Sequence, residues 1–335
     1  MTDTGFLYDP VCLAHRTGRG HEERPERLRA ILRRLQASGL LERLDAIAPA
    51  PATRPQIELV HEPAYIDQVE RDIQSGREIL STDLKRDTHI SPASLDAAVM
   101  AAGAVLTAVD AVMAGQVQNA FCCIRPPGHH AARAAGMGYC IFNNVAIGVR
   151  YAQKWVRRVA IIDWDIHHAN GTQDIFEADP SVFLIDSHQF GYGFYPGTGA
   201  ATEQGVGKGI GATLNMPLAP YTTEEEFLDQ WQRNLPPAME RFRPELVFIS
   251  AGFDAHKDDL HGRLRRQQMT ADGFATLTRL ALAVAHEFAG GRLVSVLEGG
   301  YHLPSLAESV EAHLRVLSGS SVTAAVRQTD RRERP

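Results

Sequence analysis

Four short, almost wholly apolar runs, each followed at once by polar residues, constrain what this chain can fold into. They cover residues 120–124, 159–162, 246–253 and 293–297. Runs of this kind are typical of strands that are buried on both faces of a parallel sheet. Because ligands bind beyond the carboxyl ends of the strands in such a sheet, we expect the four polar endings to meet at one edge.

Helical patterns alternate with the apolar runs along the chain. We predict helices near residues 24–44, 63–75, 92–113, 144–155, 223–241, 271–288 and 303–317. This alternation indicates an α/β fold, in which a mostly parallel sheet is covered by helices on both faces. The 335 residues contain no long linker, so we predict one domain, residues 1–317, followed by a polar, disordered tail, residues 318–335.

The second apolar run leads into the segment 163–168, Asp-Trp-Asp-Ile-His-His. In an extended segment alternate side chains point the same way, so Asp163, Asp165 and His167 are expected to share one face. Oxygen and imidazole ligands on one face suit a divalent metal such as zinc. The competing interpretation is an ordinary strand end, with residues 170–172 capping the next helix. We favour the metal site, because charged groups rarely end a buried strand without a partner.

Six motif-like segments follow one another at residues 125–131, 138–144, 163–172, 194–199, 250–254 and 298–301. In this order they resemble the motifs of the arginase/deacetylase superfamily. Within it they are similar to the zinc-dependent histone deacetylase and acetylpolyamine amidohydrolase family, in its class II-like bacterial branch. The resemblance runs from about residue 7 to about residue 317. It implies a single-domain arginase/deacetylase fold for residues 1–317, with about eight strands in the central sheet.

The resemblance implies one zinc ion per chain, held by Asp165, His167 and Asp254. Three protein ligands leave coordination positions for water and a substrate carbonyl, as a catalytic zinc site requires. His168, which follows the histidine ligand, is expected to play a structural part instead.

The resemblance also implies that His129 and His130 are the acid–base pair, the first oriented by Asp163 and the second by Asn170. Partners of different charge would separate the pKa values of the two imidazoles. In the implied reaction His130 takes the proton of a metal-activated water, and the hydroxyl of Tyr301 stabilises the oxyanion. The product would be the free amine of a lysine side chain or related alkylamine, after removal of an acetyl or other acyl group.

The substrate channel is implied at Gly138, Tyr139, Tyr195 and His261. Two aromatic rings suit a straight alkyl stem. Polyamine-selective members carry a glutamate in the loop where His261 is the nearest residue, which argues against a polyamine specialist. This loop, residues 260–270, is longer and more basic than is usual.

A monovalent cation such as potassium is the second ion that the resemblance implies, held by Asp163 and by carbonyls around Asp165 and His167. Asp186 stands where serine is usual, so potassium binding is left open. Ala169 stands where glycine is usual, and the metal loop would shift if that position required a positive φ.

Composition favours a cytoplasmic protein. The cysteines form no Cys-x-x-Cys pair, so we expect reduced thiols at Cys12, Cys122, Cys123 and Cys140. A formal net charge of −6 gives no electrostatic reason to expect nucleic-acid binding. We expect neither a signal peptide nor a segment that stays apolar long enough to span a bilayer. Assembly into a homo-oligomer is left open.

Three other functions are left open. A two-manganese ureohydrolase shares the fold but would need more aspartate and histidine ligands. A non-catalytic binder of acyl-lysine would not need His129, His130 and Tyr301 together. A deacetylase of acetylated polyamines or of another small amide is compatible with every motif. The expected partner is therefore acetylated lysine or an acetylated small amine.

Overall fold

The computed structural model describes residues 4–191, 193–259 and 267–320. Over these residues eight strands form one sheet, in the order β2-β1-β3-β8-β7-β4-β5-β6, and every neighbouring pair is parallel. The strands are β1 (Thr4–Leu7), β2 (Asp45–Ile47), β3 (Asn119–Cys122), β4 (Val159–Asp163), β5 (Val182–Gln189), β6 (Thr213–Leu218), β7 (Leu246–Ala251) and β8 (Leu293–Leu297).

Nine α-helices pack around the sheet within the same described ranges. They are α1 (Glu26–Ala37), α2 (Arg54–Ile57), α3 (Pro63–Gln74), α4 (Ser94–Met113), α5 (Asn144–Ala152), α6 (Asn170–Phe176), α7 (Glu224–Phe242), α8 (Ala271–Phe288) and α9 (Leu303–Leu317). The predicted α/β architecture with about eight parallel strands is confirmed.

The four apolar runs form four neighbouring strands, β3, β8, β7 and β4, in the middle of the sheet. All residues of these strands are buried, because helices cover them. In the pairing register Asp163, at the end of β4, lies opposite Ser250 of β7 on one side and Asp186 of β5 on the other. The polar endings therefore do meet at one edge.

The predicted helix over residues 24–44 was wrong at its carboxyl end. Helix α1 ends at Ala37, and the chain turns at Gly39, whose φ is +63°. The N–H of Leu40 then bonds to the carbonyl of Leu35, as in a glycine-terminated helix. The hydrophobic pattern continues beyond this turn because Leu40 and Leu44 are themselves buried.

Helix α4 contradicts the prediction that no segment stays apolar long enough to span a bilayer. An 18-residue stretch of this 20-residue helix has a mean hydropathy of 1.7, which by length and composition is sufficient. However, 67% of this stretch is buried inside the protein. Helix α4 packs against α5 and β3, and a core helix in such a position has the same composition.

Candidate active site

Asp165, His167 and Asp254 converge at the carboxyl edge of the sheet. Asp165 and His167 follow β4, whereas Asp254 follows β7, the next strand in the sheet. All three side chains are buried, and their ligand atoms lie within 4.8 Å of one another. Nδ1 of His167 lies 3.0 Å from Oδ1 of Asp165 and 3.1 Å from Oδ2 of Asp254.

This cluster has the chemistry of a cation site. A ring nitrogen carries at most one proton, so Nδ1 of His167 cannot donate to both carboxylates at once. Oδ2 of Asp254 has no hydrogen-bond donor among the described residues, although it is buried. Burial lowers the pKa of His167, but the carboxylates of Asp165 and Asp254 outweigh it and raise the pKa to about 10. Two carboxylates and one imidazole around one point suit a divalent metal.

Two glycines make room for these carboxylates. A Cβ atom at Gly252 would lie 2.0 Å from Oδ2 of Asp165, and one at Gly299 would lie 2.3 Å from Oδ2 of Asp254. The backbone also orients the acids, because the N–H of Gly299 donates to Asp165 at 2.9 Å and that of Ile166 donates to Asp254 at 3.0 Å. The acids are therefore held in place by the fold itself.

The tandem histidines lie beside the cluster, and each has the partner that was predicted for it. Nδ1 of His129 lies 3.1 Å from Oδ2 of Asp163, and Nδ1 of His130 lies 2.7 Å from Oδ1 of Asn170. The two rings are 4.1 Å apart. The loop that carries the two histidines is held by Glu298, whose Oε2 accepts the N–H of Gly128 at 2.7 Å and that of His129 at 3.2 Å.

The surroundings drive the pKa values of the two histidines in opposite directions. Burial lowers the pKa of His129, but the carboxylates of Asp165 and Asp163 outweigh it and raise the pKa well above its ordinary value. For His130, burial and the positive charges of His129 and His167 lower the pKa well below its ordinary value. One imidazole is therefore charged and its neighbour neutral, which is the arrangement that an acid–base pair needs.

A narrow cavity of about 120 Å³ leads to the cluster. Its lining residues are Asp87, His130, Gly138, Tyr139, His167, Tyr195 and Tyr301. The rings of Tyr139 and Tyr301 meet edge to face at 6.0 Å, and Tyr195 meets His130 in the same way at 5.1 Å. The predicted channel residue His261 lies outside the described residues.

The backbone at the cavity wall adopts an unusual conformation. Gly138 has a φ of +58°, and a Cβ atom there would lie 2.3 Å from Cδ2 of His130. Tyr139 has a φ of +67°, which non-glycine residues rarely adopt. Two acids hold this wall, because Oδ1 of Asp87 accepts the N–H of Gly138 at 2.8 Å and Oε1 of Glu22 accepts the hydroxyl of Tyr139 at 2.6 Å. Neither acid was predicted as a site residue.

A buried ionic cluster behind the site also escaped sequence reasoning. Glu23 accepts hydrogen bonds from Arg125 at 2.6 Å and from Arg27 at 3.2 Å, and all three side chains are fully buried. Burial raises the pKa of Glu23, but the guanidinium of Arg125 outweighs it, and the pKa falls to about 2. No helical periodicity indicated this contact, because Glu23 lies three residues before Glu26, the first residue of α1.

Ala169 and Asp186 do not disturb the metal loop. Ala169 has a φ of −73°, so this position does not require glycine. Its N–H donates to Oδ2 of Asp186 at 2.8 Å. The other oxygen of Asp186 lies 2.8 Å from Nδ1 of His188, whose Nε2 faces the carbonyl of Gly199 at 2.8 Å. Because both ring nitrogens face acceptors, His188 is a protonated imidazolium, paired with Asp186.

Comparison with known proteins identifies the family to which this fold belongs. A model of the histone deacetylase domain matches residues 21–317. The chain is 37% identical over 317 residues to a histone deacetylase-like amidohydrolase of Pseudomonas aeruginosa, a match that covers 89% of this chain and 81% of that protein. It is 40% identical over 328 residues to the human polyamine deacetylase HDAC10, covering 95% of this chain and 47% of that one.

A solved structure, of the HDA15 HD domain, superimposes with a TM-score of 0.89 at 34% sequence identity. The superposition covers 97% of this chain and 92% of that one. Fold and site thus define a hydrolase that acts on linear amides. The chain belongs to the histone deacetylase family, and it is a deacetylase, as its motifs predicted.

Proposed function

We propose that this chain is a zinc-dependent amidohydrolase that removes acetyl or other acyl groups from the amine end of lysine side chains or related alkylamines. One observation carries the proposal. The cluster of Asp165, His167 and Asp254 lies beside a narrow cavity whose lining includes both His130 and Tyr301. Metal ligands, a base and a hydroxyl donor thus face the space that an extended acyl-amine would enter.

Asp165, His167 and Asp254 would hold the zinc ion. A bound zinc ion would act as a Lewis acid, which polarises a carbonyl and lowers the pKa of bound water towards neutrality. Among the described residues this is the one group of three such ligands, which supports a single metal ion over the two-manganese ureohydrolase.

His130 would accept the proton of the attacking water through Nε2. Its Nδ1 faces the amide oxygen of Asn170, so the proton on this ring resides on Nδ1 and Nε2 is left as the acceptor. His129, charged and paired with Asp163, keeps a positive charge beside the reacting groups. Such a neutral base next to a charged acid supports general acid–base catalysis, which typically contributes about 100- to 10,000-fold.

Tyr301 would donate its hydroxyl to the oxyanion that forms on the acyl carbonyl. Burial raises the pKa of this phenol well above its ordinary value, so it keeps its proton and acts as a donor. The chain carries the hydroxyl donor Tyr301 and the His129–His130 pair as well as the three candidate metal ligands. This argues against a protein that only binds acyl-lysine, because binding does not need an acid–base pair.

The cavity supports a linear amine substrate. A volume of about 120 Å³ between the rings of Tyr139, Tyr195 and Tyr301 suits an alkyl stem. An acetylated polyamine is the second candidate, and a specific observation favours it. The carboxylates of Asp87 and Glu22 support the wall of the cavity, where a second, cationic amine of the substrate would be attracted.

Several sequence predictions stay proposals. They are the potassium ion near Asp163 and Asp186, the domain boundary at residue 317, the cytoplasmic location, the absence of nucleic-acid and membrane partners, and the homo-oligomer. The prediction for the tail concerns residues of which 321–335 lie outside the part of the chain that the structure describes. Both oxygens of Asp186 already accept hydrogen bonds, from Ala169 and from His188, so a potassium ion would share this carboxylate with an imidazolium.

The test is a direct assay of the zinc-loaded protein. Acetyl-lysine peptides, acetylpolyamines and longer acyl-lysines are offered in parallel, with a hydroxamate as the inhibitor control. We expect hydrolysis of at least one class and inhibition by the hydroxamate. If the protein binds the metal and hydrolyses none of the three, the proposal is wrong.

A further inference from the structure

We infer that Asp259 is a positioning residue for the hydroxyl of Tyr301, an inference that rests on the proposed function. The side chain of Asp259 is buried beside the turn that carries Tyr301. Its Oδ2 accepts the N–H of Tyr301 at 2.7 Å and the N–H of His302 at 2.8 Å. These N–H groups belong to the two planar peptide units on either side of the Tyr301 Cα. One carboxylate oxygen therefore fixes the backbone torsions from which the tyrosine ring projects.

The rest of the turn is held by other groups. Arg27 donates to the carbonyl of Gly300 at 2.6 Å and also to the carbonyl of Glu298. The N–H of Gly299 donates to Asp165. Asp259 completes this set at the Tyr301 end of the turn. Hydrogen bonds to a carboxylate are about twice as strong as those between neutral groups, so its contribution to the order of the turn is substantial.

Asp259 acts through Tyr301 and does not contact the substrate. It is absent from the described residues that line the cavity, whereas the side chain of Tyr301 is one of them. The tyrosine ring lies between the guanidinium of Arg27, 5.0 Å away, and the edge of Tyr139. A catalytic group that moves by 1 Å can lose about 100-fold in rate, so loss of the backbone anchor is expected to cost turnover.

The experiment is a double-mutant cycle between Asp259→Ala and Tyr301→Phe in the full, zinc-loaded chain. In the wild-type background we expect Asp259→Ala to lower kcat by about 10- to 100-fold and to leave KM and metal content nearly unchanged. In the Tyr301→Phe background the same change should lower kcat less than about 2-fold, because the hydroxyl through which it acts is already gone. Asp259→Asn, which keeps an acceptor oxygen, should recover most of the loss.

Asp258→Ala is the matched control, because its side chain is 55% exposed and it belongs to the same loop. We expect it to have wild-type kcat. The affinity for a linear alkyl hydroxamate is measured for the same set of variants, because inhibitor binding reports on the site without turnover. Thermal unfolding checks each variant, and Asp259→Ser replaces the alanine variant if the latter does not fold.

Equal losses of kcat and of hydroxamate affinity in both backgrounds would overturn the inference, as would an asparagine variant no better than alanine. If the wild-type protein hydrolyses no acyl-amine, the proposed function is wrong. The hydroxamate cycle then still decides whether Asp259 acts through Tyr301.

Discussion

Oδ2 of Asp163, the last residue of β4, lies 3.1 Å from Nδ1 of His129, and both side chains are buried. The equivalent nitrogen of His130 faces the neutral amide of Asn170. This difference between a carboxylate and an amide partner adds to the effects of burial, of Asp165 and of the neighbouring imidazoles, which together move the pKa values of His129 and His130 apart.

Replacement of Asp163 by asparagine should therefore impair catalysis, because it removes one of the carboxylates that raise the pKa of His129. We expect kcat to fall by about 100-fold, at the lower end of the contribution of general acid–base catalysis. Zinc content, measured by atomic absorption, should stay near that of the wild type, because Asp163 is outside the ligand set. Retention of wild-type kcat by Asp163→Asn would show that the carboxylate of Asp163 is not needed for catalysis.

Tyr301→Phe should give a folded protein of very low activity. Removal of one oxyanion donor typically costs about 100- to 1,000-fold in kcat, and we expect a loss in this range. The thermal unfolding temperature should change little, because the ring and its contact with Tyr139 are retained. A phenylalanine variant that keeps most of its kcat would remove Tyr301 from the mechanism.

Gly138→Ala should disrupt the channel for a steric reason. The new Cβ would lie 2.3 Å from His130, in addition to the strain of a positive φ. Gly76→Ala is the matched control, since Gly76 also has a positive φ, +74°, but has no atom within 4 Å of such a Cβ. Both variants should lose about 1–2 kcal/mol of stability from backbone strain, and only Gly138→Ala should lose activity. Equal activity of the two variants would contradict the conclusion that a side chain at position 138 disrupts the channel through His130.

The contribution of three buried, neutral histidines to stability should fall as the pH is lowered below about 6.5. Burial lowers the pKa of His15 and His61 to about 4, and that of His313 to about 3. Their pKa values in the unfolded chain are higher, about 6.5, so the unfolded state binds more protons as the pH falls. Above about pH 6.5 these histidines are neutral in both states and do not reduce the free energy of unfolding. Below it, the free energy of unfolding falls as the pH approaches their folded-state pKa values. Glu23 adds to this below about pH 4.5, because its folded pKa is about 2.

Urea unfolding at pH 7.5 and pH 5 tests this acid dependence. Each buried histidine should account for about 2 kcal/mol of the difference in unfolding free energy between the two conditions. His313→Gln should reduce that difference, whereas His286→Gln, at an exposed position of α8, should leave it unchanged. If the two variants respond to pH alike, buried histidines are not the cause.

Metal removal should also destabilise the protein. Without a cation, the buried carboxylates of Asp165 and Asp254 repel each other, and the pKa of Asp254 is raised by burial and by Asp165. Zinc at about 1,000 times its Kd should add about 4 kcal/mol to the unfolding free energy. Differential scanning fluorimetry after chelation and after zinc return measures the effect, and Asp254→Asn should respond much less. An unfolding temperature that is unaffected by zinc would argue against the site.

The strands and two members of the candidate metal cluster could be predicted from the sequence, because their signals are local or ordered along the chain. Continuous apolar runs defined β3, β4, β7 and β8, and the alternation in 163–167 placed two ligands on one face. Asp254 needed the resemblance, since a single aspartate after a strand carries little information. Glu22, Asp87 and Asp259 were missed because each acts through backbone or hydroxyl groups that are distant in sequence, and no periodicity records such contacts.

The order of the strands also links folding to metal uptake. Two ligands come from the end of β4 and the third from the end of β7, and more than 80 residues, including the crossover through β5 and β6, separate them along the chain. No contiguous peptide of moderate length contains the whole coordination set. High-affinity zinc binding should consequently emerge late in refolding, when these two strands have paired, and would serve as a reporter of native topology.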